Sequence, residues 1–72
     1  MNRFYKLTVL GRRQAGSTSP SRRNRILDHM YRSPDRTAGT EELSHITGMS
    51  VGATLAEMKR LERSGYVIDI SD

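Results

Sequence analysis

Arginine is the residue that most plainly offers chemistry in this chain. Residues 1–36 carry Arg3, Lys6, Arg12, Arg13, Arg22, Arg23, Arg25, Arg32 and Arg36 against only Asp28 and Asp35, a balance of +7. Residues 37–72 carry Lys59, Arg60 and Arg63 against Glu41, Glu42, Glu57, Glu62, Asp69 and Asp72, a balance of −3. A one-ended basic field of this kind favours polyanions such as nucleic acid. Most of the cations are arginine, whose forked guanidinium suits phosphate and carboxylate better than an ammonium does. Solubility charge on an ordinary surface is the simpler reading of the same numbers.

Other chemistry is poorly supplied. Without cysteine, disulfides and thiolate metal sites are excluded. His29 and His45 fall in different segments and lack a completing ligand set, so no metal and no cofactor is expected. Glu41 and Glu42 are adjacent and diverge along a helix, which suits capping better than acid/base catalysis. Ser17, Thr18 and Ser19 could be modified, a pattern common in linkers. There is no glycine-rich phosphate loop after a strand and no Ser/His/Asp arrangement. The chain is expected not to be an enzyme.

The elements that must position the arginines are few, because 72 residues make one small domain. No apolar run is long enough to span a membrane, and the first ten residues lack a signal-peptide core. A cytoplasmic protein is expected, nucleoid-associated if it binds DNA. A chain opening on Met1 reads as a whole protein or an N-terminal part of one.

Tyr5, Leu7 and Val9 alternate with Lys6 and Thr8, which predicts a strand within 1–10. Residues 11–19 are small, polar and glycine-containing, and predict a flexible linker with Arg12 and Arg13 as a mobile basic arm. The domain proper is then 20–72. Ser19-Pro20 predicts a helix start. Ile26, Leu27, Met30 and Tyr31 would lie on its buried side, and Arg22, Arg25, His29 and Arg32 on the exposed one. Ser33-Pro34 ends it.

Thr40 is expected to cap a second helix that buries Leu43 and Ile46 and closes at Gly48. Ser50 caps a third, to about Ser64, with Val51, Thr54, Leu55, Met58 and Leu61 on its core side. Met30, Met49 and Met58 read as core filling. After Gly65, Tyr66, Ile68 and Ile70 are expected to line the core face of a final strand. A lone strand would leave open edges, so pairing of the N-terminal and C-terminal strands is expected, in a direction the sequence does not fix. The class is α+β, mainly α, with a small sheet of terminal strands.

The stretch Glu42-Leu43-Ser44-His45-Ile46-Thr47-Gly48-Met49-Ser50, with Leu55 to Val67 ending Lys59-Arg60-Leu61-Glu62-Arg63-Ser64-Gly65-Tyr66-Val67, resembles the winged helix-turn-helix family. Over roughly 20–70 the chain is similar to the small regulator domains of the MarR and ArsR groups. That resemblance implies a double-stranded DNA-binding transcriptional regulator, often a dimer on two half-sites, with helix 50–64 in the major groove. On this reading Ser50, Gly52, Ala53, Thr54 and Ala56 face the bases. Lys59, Arg60, Arg63, Arg22, Arg25, Arg32, Arg12 and Arg13 reach phosphates.

Two departures matter. Only seven residues follow Gly65, too few for a second wing strand and its basic tip. The base-facing positions also lack the long forked donors and acceptors that read bases. Those small residues equally suit a protein partner packed on helix 50–64, which makes an adaptor or subunit with little DNA binding the alternative.

Overall fold

The computed structural model describes residues 2–17 and 24–71. In chain order these form β1 (Phe4–Leu7), α1 (Val9–Ser17), α2 (Arg25–Arg32), β2 (Thr37–Gly39), α3 (Thr40–Thr47), α4 (Val51–Arg63) and β3 (Val67–Asp69). The fold is α+β and mainly helical, with a three-stranded antiparallel sheet of order β2-β1-β3. The expected start at Ser19-Pro20, together with Arg22 and Arg23, lies outside the described residues.

β1 is the middle strand. Its period of two sends Tyr5 and Leu7 inward and leaves Phe4 and Lys6 outside. It meets β3 with Tyr5 opposite Asp69 and Leu7 opposite Val67, so the pairing of terminal strands is present and antiparallel. On its other edge β1 meets β2, with Phe4 opposite Gly39 and Lys6 opposite Thr37. β2 is a strand that the sequence pattern does not announce.

The phase of β3 corrects one expectation. Val67 is the buried residue, 1% exposed, whereas Ile68 and Ile70 are 49% and 44% exposed on the outer face beside Phe4. The register fixes this, because the residue opposite inward Leu7 must itself point inward, and a slip of one would reverse every side chain.

The largest correction concerns 11–19, which is no flexible linker as far as Ser17. Val9–Ser17 is helical. Thr8 caps it, its Oγ1 accepting from Gly11 N at 3.0 Å while donating to Gly65 O at 2.6 Å. Gly11 is buried because α1 rests on the turn after α4. A Cβ there would stand 2.1 Å from Tyr66 O and 2.7 Å from Leu7 Cδ1. Glycine here serves close approach, not flexibility.

α2 spans Arg25–Arg32. Asn24 has extended backbone angles, and its side chain accepts from Ile26 N and Leu27 N at 2.9 and 3.2 Å. Ile26, Leu27 and Met30 are buried as the pattern requires, while Tyr31 is exposed. The turn that follows holds Arg36 at φ 61°, a left-handed conformation that costs a non-glycine residue about 1–3 kcal/mol. The turn supports it: Arg36 O accepts from Leu7 N at 2.8 Å, and Arg36 Nη1 donates to Ser33 O at 2.8 Å.

Thr40 is not a cap but the first residue of α3, fully buried. Its Oγ1 donates to Arg3 O at 3.0 Å and accepts from Arg3 N at 3.1 Å, joining α3 to the start of β1. The capping role passes to Asn2, whose Oδ1 accepts from Glu41 N at 3.1 Å. Gly48, at φ 75°, closes α3. Ser50 caps α4 as expected, its Oγ accepting from Ala53 N at 3.1 Å. Leu43, Met58 and Leu61 then meet Tyr5, Leu7, Leu27, Met30 and Val67 in one core.

Candidate nucleic-acid interface

Gly48 closes α3 and Ser50 caps α4, whose N-terminal half carries exposed residues. Ser50, Gly52, Ala53 and Ala56 are exposed there, and open space surrounds Gly52. Thr54 does not belong to this surface. It is buried, and its hydroxyl donates to Ser50 O at 2.8 Å. The exposed strip consists of small side chains and is almost free of hydrogen-bonding groups.

Charge lies on both flanks of the strip. On one side Arg25, at the start of α2, shares a cleft of about 290 Å³ with Thr47 and Met49 of the α3–α4 connection and with Glu57. On the other, a cleft of about 520 Å³ separates α4 from the sheet, with Arg3, Asp69, Ala56 and Lys59 in its walls. Arg3 Nε donates to Asp69 Oδ2 at 2.8 Å. The Asp69 carboxyl is held below its ordinary range, first by the Ser71 amide, which donates to it at 2.8 Å, and then by Arg3.

Arg60 is exposed, yet its guanidinium is engaged within α4. Its Nε donates to Glu57 Oε1 at 3.1 Å and its Nη2 to Glu57 Oε2, which lowers the Glu57 pKa and raises that of Arg60. Arg32 faces Asp28 at 3.5 Å on α2. Arg63 is exposed in the last turn of α4, beyond the middle of a helix about 20 Å long. His29 and Glu42 contact each other between α2 and α3.

The expected set is therefore divided. Ser50, Gly52, Ala53 and Ala56 share one strip, with Arg25 and Lys59 at its sides. Arg12 and Arg13 are not a mobile arm beside it. They line a groove with Val9, Gly16 and Tyr31, on a helix that starts at the turn following α4. Arg22 lies outside the described residues. Arg3, which sequence reasoning did not assign to the site, is brought to the same cleft as Lys59 by the pairing of β1 with β3. Its signal was available: a strand paired through Tyr5 and Asp69 places residue 3 near the chain's last residues.

Among the described residues no group of three His, Asp or Glu could hold a metal ion, and no helix is long and apolar enough to cross a membrane. No family model matches the chain, and neither a curated protein nor a solved structure matches it.

Proposed function

We propose that this protein is a winged helix-turn-helix module that binds double-stranded DNA as a transcriptional regulator, with α4 entering the major groove. One observation carries the reading: the exposed, small-residue half of α4 is flanked on one side by Arg25, with Glu57 in the same cleft, and on the other by Arg3 and Lys59, with Asp69 and Glu62. A narrow helix face with cations to either side suits a groove whose walls are phosphate. In the reading β1 pairs with β3 where a second wing strand would otherwise lie. With Ser50 as the main polar group on the strip, phosphate contacts would set affinity and base readout would be modest.

The test is Arg25→Ala combined with Lys59→Ala, assayed by fluorescence anisotropy on a generic duplex. Each lost phosphate contact should reduce the slope of log affinity against log salt by roughly one, uniformly across sequences. An unchanged slope contradicts the proposal.

The alternative remains a protein-interaction module. It is favoured by the same strip of Gly52, Ala53 and Ala56, and by the Glu57–Arg60 pair that neutralises its margin. On that reading Ala53→Glu abolishes partner capture, while the duplex shows no salt-dependent binding to lose.

A further inference from the structure

The cleft between α4 and the sheet encloses about 520 Å³, within the range of about 300–1,000 Å³ that holds a small ligand. Its two walls differ in how their charges are used. On the sheet wall Asp69 is occupied, taking Arg3 Nη2 at 2.6 Å and the Ser71 amide at 2.8 Å. Tyr5 is 4% exposed, and burial, the largest influence on its phenol, raises its pKa, so it adds a hydroxyl rather than a further charge. On the α4 wall Leu55 is half-buried and Ala56, Lys59 and Glu62 are exposed.

Lys59 and Glu62 are one helical turn apart, yet their side chains form no ion pair with each other or with any described residue. Glu57 and Arg60, at the same spacing, do pair. The order explains the difference, because an acid placed before its base is the favourable direction along a helix and the reverse is the poorer one. The cleft therefore presents one open cation and one open anion side by side, with an apolar surface next to them.

We infer that this cleft binds a free α-amino acid with an aliphatic side chain, its carboxylate on Lys59, its ammonium on Glu62 and its side chain against Leu55 and Ala56. The charges select this occupant. A simple anion would meet Glu62 and Asp69, and a simple cation would meet Lys59 and Arg3. A neutral apolar molecule would strip water from Lys59 and Glu62 and give nothing back. A zwitterion brings both opposite charges on one carbon and leaves the Arg3–Asp69 pair intact.

The inference does not rest on the duplex reading, and its test needs no DNA. Isotope-labelled full-length protein is titrated with L-leucine, following amide shifts. Saturable shifts are expected at Tyr5, Leu55, Ala56 and Asp69, with a Kd of about 1 mM or tighter. Leucinamide, which lacks the carboxylate, and isocaproate, which lacks the amine, should each bind at least about tenfold more weakly. Glycine, which lacks the side chain, should bind at least about fivefold more weakly. Lys59→Met should abolish the preference for leucine over leucinamide, and Glu62→Gln the preference for leucine over isocaproate. If either variant does not fold, the comparison of the four ligands on the wild-type protein decides alone. Leucine bound no better than any one of the other three overturns the inference. So does the absence of saturable shifts in the cleft up to about 20 mM leucine, well above the expected Kd. If the duplex then still shifts 50–57, the α4 proposal stands without it.

Discussion

α1 and α4 are held in opposite ways. α4 carries its own start signal, since Ser50 caps Ala53 three residues on and Gly48 ends the helix before it. α1 begins only because Thr8 reaches the carbonyls of Gly65 and Tyr66, nearly the length of the chain away, and because Gly11 lets it settle on that turn. One helix is specified locally and the other by the assembled fold. A surface helix of the first kind can change its face freely, whereas α1 is sensitive wherever it touches the turn.

Substitution of glycine breaks the comparison most sharply. Gly11→Ala would drive a methyl group into Tyr66 O, so unfolding titrations should show a loss toward the upper end of about 1–3 kcal/mol. Gly52→Ala meets nothing within 4 Å and should instead stabilise by about 0.5–1 kcal/mol, the helix-interior difference between the two residues. A loss at both positions would deny the contrast.

Caps come next in size. Ser50→Ala removes one local bond and should cost about 1 kcal/mol. Thr8→Val removes the cap of α1 together with its donation to Gly65 O, and should cost more, up to about 2 kcal/mol. Hydrogen exchange should show the amides of α1 opening in that variant while those of α4 keep their protection.

The smallest effect is electrostatic. Asp69 is lowered by the Ser71 amide and then by Arg3, and Asp35 by Thr37. Carboxyls with depressed folded pKa values contribute stability above their unfolded pKa and lose it as pH falls through the folded value. Thermal midpoints should therefore drop slightly as pH is taken from about 5 to about 2. Arg3→Ala should reduce that drop, because it removes one of the groups that depress Asp69.

Local signals explain what could be read without the structure. Ser50, Gly48, Leu43, Met58 and the pairing of the terminal strands follow from neighbours in sequence or from the need to close a sheet edge. Gly11 and Gly16 read as flexibility because nothing adjacent reports the turn and the ring they pack against. The role of Thr40 miscarried for a similar reason, because Asn2, far away in sequence, caps α3 instead. The three residues of β2 are too short a run to show alternation. Val67 rather than Ile68 faces inward because Gly65 and the register with β1 set the phase, and composition is silent on both. Of the candidate site, the α4 strip was legible, Thr54 was placed on the core side by the helix phase and counted with the site only through the resemblance, and Arg3 depended on tertiary pairing.

The central claim is that the exposed half of α4 is a duplex-binding face. Amide shifts of the labelled protein with a generic duplex, taken at about 50 and 200 mM salt, test it most directly. The account predicts that residues 50–57 move together with Arg3, Arg25 and Lys59, and that affinity falls steeply between the two salt concentrations. Shifts that leave 50–57 unmoved at low salt would contradict it.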